Sequence, residues 1–295
     1  MTHIHLNGAP AGWRARHSTA APDRARISLG RLSAVALVLA ALVLAACAGG
    51  GRLGYAGATT LVPLVSDLCA ALEEERPDIR CAVTGGGSTK GVLDVATGAA
   101  QIGGAAREPK PGEEARVRFV PVALDALAVI GHRDLGLAAL TGEELRAVFT
   151  GDVPAHLAGI PRVGKAPAHG THQAFKAAIA ADGPLEADAE AGSNGELIAY
   201  VLASRGLGYV SLADAEAAIA AGEPLTILAI DGVVPSVAAI RAGRYTLVRR
   251  LHVLLPRPSG EGQGGPGAPA RAFMALLESP RGRDMIRAAG FLPID

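Results

Sequence analysis

The chain has no excess of either charge. Its 295 residues carry 28 basic and 28 acidic side chains. A nucleic-acid binder shows a basic excess or stripe, so that class is excluded. Catalytic signatures are missing as well. There is no Gly-x-Ser-x-Gly elbow for a hydrolase. The run Gly85-Gly86-Gly87-Ser88-Thr89-Lys90-Gly91 lacks both the Gly-Lys-Ser/Thr order of a P-loop and the Gly-x-Gly-x-x-Gly of a dinucleotide site. His169 and His172 stand three apart with no third ligand in view, so neither a metal nor a cofactor is expected. The reading is of a protein that is not an enzyme. No internal repeat is present, and the length allows two domains with real cores.

The charge is unevenly placed. Arg14, Arg16, Arg24, Arg26 and Arg31 outweigh Asp23 ahead of the apolar run 32–43, leaving 23 basic and 27 acidic residues beyond position 46. A basic stretch followed by an apolar run too short to span a bilayer comfortably is a secretory signal. It ends in Leu44-Ala45-Ala46-Cys47, which resembles the lipobox of bacterial lipoproteins. That resemblance implies cleavage before Cys47 and a diacylglycerol on its sulfur. Residues 1–46 are then a lipoprotein signal peptide and 47–52 a tether. The expected location is outside the cytoplasm, anchored by the N-terminal lipid to the cell membrane or outer membrane. The single Trp13 lies in the leader. Cys69 and Cys81 remain; export permits a disulfide between them, and two buried thiols fit equally well.

What the chain does have is three glycine-flanked hydroxyl segments: Gly57-Ala58-Thr59-Thr60, Gly86-Gly87-Ser88-Thr89 and His169-Gly170-Thr171. Each precedes an amphipathic run that reads as a helix. The first N–H groups of a helix lack internal partners and the macrodipole adds positive charge, so such starts cradle anions. One is ordinary capping; three point to convergence on one anion. Between them strands (53–56, 79–83, 101–103) alternate with helices (61–75, 90–97), the pattern of an α/β protein. Residues 117–130 are long for one strand and read as a bridge between two lobes, with 225–230 as the return crossing. Thr141-Gly142-Glu143-Glu144 is a capping box, and Ser193-Asn194-Gly195-Glu196 a second candidate.

In this order the motifs resemble the phosphate-binding proteins of bacterial ABC importers, over nearly all of the mature chain. Gly57-Ala58-Thr59-Thr60-Leu61-Val62-Pro63-Leu64 is similar to that family's first anion loop, and 85–92 to its second. The segments 102–108, 192–195, 208–212, 231–237 and 290–293 are similar to it too. The resemblance implies a two-lobed periplasmic-binding-protein type II fold hinged on two crossing strands. Lobe 1 would be discontinuous (53–123 and 230–295), with lobe 2 at 124–229. It implies a monomer that takes inorganic phosphate or a related oxyanion and delivers it to a membrane permease. The implied ligand-binding residues are Thr59, Thr60, Ser88, Thr89, Arg107, Lys165, His169, Gly170 and Thr171.

Three positions depart from the family pattern. Lys165 stands where an arginine is expected, His169 where a serine is, and Ala106 where a Ser or Asp is. Lysine cannot make the bidentate fork of arginine. An Asp at 106 would accept a proton from hydrogenphosphate, and alanine cannot. These departures keep a second reading open: a non-transporting sensory or envelope lipoprotein on the same scaffold, with altered or lost anion binding. If Cys47 carries the anchor, Cys47→Ser abolishes incorporation of a tagged fatty acid; equal labelling of both proteins rejects the anchor.

Overall fold

Alternating strands and helices organise the chain from its first described residues. The computed structural model describes residues 51–257 and 265–294. The leader, the lipobox with Cys47 and part of the Gly/Pro loop lie outside them.

Strand β1 (Arg52–Gly57) passes through a tight turn at Thr59–Leu61 into helix α1 (Val62–Glu75). Pro63 occupies the first turn of α1, where its missing N–H costs nothing. Leu64, Val65, Leu68 and Leu72 recur at helical spacing and are all buried. Then come β2 (Arg80–Thr84), α2 (Ser88–Ala96), β3 (Ile102–Ala105) and the 16-residue β4 (Val117–His132). The middle of the chain holds β5 (Ala139–Leu140), α3 (Gly142–Thr150), β6 (Arg162–Lys165), α4 (Gly170–Ala178) and β7 (Ala189–Ala191). It continues with α5 (Asn194–Ser204), β8 (Leu207–Ser211), α6 (Leu212–Ala220), β9 (Leu225–Ile227), β10 (Ala229–Ile230) and α7 (Val237–Arg241). The closing elements are β11 (Val248–Pro256), α8 (Ala268–Glu278), α9 (Pro280–Ala288) and β12 (Leu292–Pro293).

The main sheet runs β2-β1-β3-β11-β4-β8-β6-β7. Strands β1, β2 and β3 are parallel, as are β6, β7 and β8. Between these two parallel sets, β11 and β4 pair antiparallel from Val248↔Ala126 to Pro256↔Val117. The far half of β4 pairs with β8. One strand therefore serves both sets, as its length foretells.

Each set has its own core. The first gathers Leu53, Leu64, Leu68, Leu251 and Phe273. The second gathers Leu127, Ile130, Phe149, Phe175 and Tyr209. The α/β fold of two halves joined by crossing strands is the one expected. The return crossing is not. Residues 225–230 form the short strands β9 and β10, which pair with β4 and β5. The chain stays with the second core through Ala239, Tyr245 and Leu247 and crosses only at β11. A short apolar run fits a crossing strand and a core-side edge strand equally, so pattern alone could not choose.

Both capping segments open helices. At α3, Thr141 and Glu144 form the full reciprocal box. At α5, Ser193 accepts from the Glu196 N–H, but the Glu196 carboxylate turns to the Gly192 N–H instead. Cys69 and Cys81 are free thiols, Cys69 buried and Cys81 half-buried.

Gly57 ends β1 at φ +151° against Gly104 of β3; a Cβ there falls 2.4 Å from the Gly104 carbonyl oxygen. Backbone cannot yield as a side-chain tip does. Gly57→Ala is therefore expected to cost about 1–3 kcal/mol from strain alone. An unchanged urea midpoint rejects this account.

Candidate functional site

Three aromatic rings pack together beside Lys165. Phe175 stacks on Tyr209 with ring centroids 3.7 Å apart, and Phe149 meets both rings edge-on. The Tyr209 hydroxyl oxygen accepts from the Lys165 N–H at 3.2 Å. Nδ1 of His172 lies 2.7 Å from the Lys165 carbonyl oxygen. Lys165 is thereby fixed at the end of β6. Its side chain is 1% exposed, and its Nζ has no hydrogen-bond partner. A buried ammonium without a partner is costly. Burial first, and the charge of Arg249 second, lower its pKa to about 8, against the pull of Asp214 and Glu196.

The second cation is Arg249, buried on β11 directly opposite Asp125 of β4. Its Nε and Nη2 lie 2.8 and 2.6 Å from Oδ2 of Asp125. Ser211 donates to the other carboxylate oxygen at 2.7 Å. From this anchor Nη1 donates to Oγ1 of Thr171 at 2.7 Å, and Nη2 to Oγ1 of Thr60 at 3.1 Å. One guanidinium thus joins a hydroxyl from the first half to one from the second. Thr171 and Thr60 accept from it and keep their own protons for donation.

Two helix starts meet beside this cluster. Gly87 precedes α2 and His169 precedes α4; neither makes a side-chain cap bond. Gly170 packs against Ser88 so closely that a Cβ would sit 2.0 Å from Oγ. Ser88 is fully buried, and its Oγ accepts from the Ala106 N–H at 3.0 Å. At the start of α5, Asn194 donates from Nδ2 to Oδ2 of Asp214 at 2.6 Å and reaches Oγ1 of Thr60 at 3.5 Å. Its Oδ1 is buried without a partner. Burial raises the Asp214 pKa, with Asn194 pulling it back. His169 is pushed below the ordinary histidine value by burial and then by Lys165, so its ring is neutral at pH 7.

The structure brings Thr60, Ser88, Lys165, Gly170 and Thr171 together, with His169 alongside. Thr59 is half-buried at the start of its turn. Thr89 is exposed and donates to the Ala168 carbonyl, linking the halves outside the cluster. Arg107 makes none of these contacts: both terminal nitrogens bond the Glu113 carboxylate at 2.6 and 2.7 Å, and its Nε is buried without a partner. Arg249, Asp125, Asn194 and Asp214 were missed. The one available signal was Arg249-Arg250 interrupting the apolar run 247–255, since a charge inside a core strand needs a buried partner.

Two helix starts, three buried hydroxyls (Thr60, Ser88 and Thr171) and two buried cations meet between the halves. The model of the PBP superfamily domain matches residues 45–281, and the chain belongs to that family. It is similar to the phosphate-binding protein PstS of Bacillus subtilis, 28% identical over 257 residues, which covers 83% of this chain and 81% of that one. Its fold is similar to that of a phosphate ABC transporter substrate-binding protein from Clostridium perfringens, solved with bound phosphate (TM-score 0.72, 20% identity). That match covers 83% of this chain and all of the other. An ABC-type phosphate transport receptor from Vibrio cholerae matches the same share at TM-score 0.65 and 19% identity. These relatives are binding proteins of transport systems, not enzymes.

Folding lowers the Lys165 pKa from the ordinary 10.5 to about 8. Between those values the unfolded chain holds a proton that the folded one releases, so stability rises with pH across that window. Below it the full penalty stands. Lys165→Met is expected to stabilise the ligand-free protein at pH 7 by about 2–4 kcal/mol and to remove the slope between about pH 8 and 10.5. Parallel urea melts check both; a slope that survives in the variant refutes the account.

Proposed function

We propose that this chain captures phosphate between its two halves and delivers it to an ABC permease, held outside the cytoplasm by a lipid on Cys47. The observation that carries the reading is the buried Lys165 ammonium, which has no protein partner. It lies beside Arg249 and the starts of α2 and α4. A tetrahedral oxyanion supplies what this cluster lacks: negative charge and several acceptor lone pairs in one small volume. The names of the relatives point to phosphate, and the similarity spans both halves. The leader supports export and anchoring.

In this reading the halves hinge where β4 and β11 pair, near 124–126 and 247–249. On closure Lys165 donates to the anion directly. Ser88 and Thr171 donate their hydroxyl protons, Thr59 and Thr60 flank them, and the α2 and α4 starts donate backbone N–H groups. Removal from water strengthens each bond. No bond is made or broken in the ligand.

Titration calorimetry of the mature chain with inorganic phosphate tests this; tryptophan fluorescence cannot, because Trp13 is in the leader. Ser88→Ala, Thr171→Val and Lys165→Ala are each expected to weaken binding about ten- to a hundred-fold, the loss of one hydrogen bond to a charged group. Wild-type protein that takes no phosphate, or three variants with unchanged isotherms, ends the reading.

A further inference from the structure

Two thiols that the anion site does not use face each other in the first half. Cys69 lies on the inner face of α1, in one row with Val65, Leu68 and Leu72, and is 4% exposed. Cys81 is in β2, the end strand of the main sheet, half-buried against the same core. Helix and strand are fastened together at this point. Glu73, one helical turn beyond Cys69, takes the Cys81 N–H on Oε1 at 2.6 Å. The Cys69 thiol donates to the Cys81 sulfur, so the two sulfur atoms lie within hydrogen-bonding reach.

The pair is unequal. Burial raises the pKa of both thiols, and the bond between them raises Cys69 further while it pulls Cys81 back. Cys81 is therefore both the more exposed sulfur and the more readily ionised one. The thiolate is the nucleophile of disulfide exchange. Cys81 is placed to attack first, and Cys69 to resolve.

We propose that Cys69 and Cys81 form a covalent modification site, joined outside the cytoplasm by a disulfide that ties α1 to β2. The inference goes beyond phosphate capture and takes its setting from the export reading, since disulfides persist in exported proteins. With Cys47 lipidated, these are the two thiols that the chain has left. The oxidant is an accessible disulfide of a second molecule. The Cys81 thiolate attacks one of its sulfurs, forming a mixed disulfide and releasing the other sulfur as a thiolate. Cys69 passes its proton to that thiolate and attacks the Cys81 sulfur, displacing the second thiolate, which takes up the proton that Cys81 shed. Two protein thiols lose two electrons, and one disulfide is reduced to two thiols. The bond spans the elements that carry the anion segments of the first half. Helix α1 follows Thr60, and β2 runs through Gly85–Gly87 into Ser88.

The test uses the mature chain carrying Cys47→Ser, in which two thiols remain. Folded protein, without urea, is equilibrated with an excess of oxidised over reduced glutathione and quenched in acid. Its thiols are then counted with a maleimide by mass spectrometry. Both are expected to be protected, with one digestion product joining the peptides of 69 and 81. The oxidised protein is expected to unfold at higher urea than the reduced one, by about a hundredfold in the unfolding equilibrium for a loop of this length. In Cys69→Ala, Cys81 is expected as a free thiol or a glutathione adduct, with no such gain. If that variant does not fold by circular dichroism, the wild-type thiol count decides alone. Two free thiols in the folded wild type overturn the inference and leave phosphate capture standing. Glutathione held on Cys81 without the link overturns it too, as does a linked form that unfolds at no higher urea than the reduced one. Failure of the export reading shows separately, in the fatty-acid labelling of Cys47, and leaves this count unchanged.

Discussion

The Arg249–Asp125 pair lies where the two crossing strands are in register, and its burial constrains everything around it. A desolvated guanidinium is tolerable only if its nitrogens are bonded, and removing one partner of such a pair strands the other. Asp125 takes two of the Arg249 nitrogens, and Thr171 and Thr60 take what remains. Those threonines belong to the opening turn of one half and the first helix turn of the other. The pair thus also ties the turn after β1 to the start of α4. With its oxygen used as an acceptor, each threonine must send its proton elsewhere, so the hydroxyls are oriented before any ligand arrives.

In the proposed reading, this arrangement explains how lysine serves where the resemblance led one to expect arginine. A guanidinium combines charge with a planar fork, and an ammonium supplies only the charge. Here the two roles are separated. Arg249 supplies the fork but uses it on protein hydroxyls, and Lys165 supplies a point charge that no protein group answers. A third nearby cation is avoided, because burial and the Lys165 charge hold His169 neutral. The serine that the resemblance expects at that position is thereby replaced by a ring with one N–H and no charge.

Much of this was legible in the sequence because it is local. The three hydroxyl segments precede helices through backbone chemistry that acts within four residues, and the 117–130 run announced a strand too long for one sheet half. The rest depends on partners far apart in the chain. Arg107 and Arg249 look alike in sequence; Glu113, six residues on, claims the first, while Asp125, 124 residues away, holds the second. Asn194 was visible only as part of a capping segment, since its role beside Asp214 and Thr60 comes from packing α5 against α6 and the turn after β1. The return crossing was misplaced for the same reason: which sheet an apolar strand joins is decided by the other strands.

In the proposed reading, closure draws on the same contacts. Ser88 abuts Gly170, Thr89 bonds the Ala168 carbonyl, and Thr60 is shared between Arg249 and Asn194. All of these join residues of the first half to residues of the second or of the crossing strands. In the proposed reading these contacts part to admit the anion to the buried Lys165 ammonium. Each is a single hydrogen bond or a close packing contact, worth about 1 kcal/mol net, so the closure is weak in parts and strong only in sum. The buried Lys165 charge works against it at neutral pH. An anion that relieves this penalty stabilises the closed form more than the open one, and only such differential affinity can shift the balance between them.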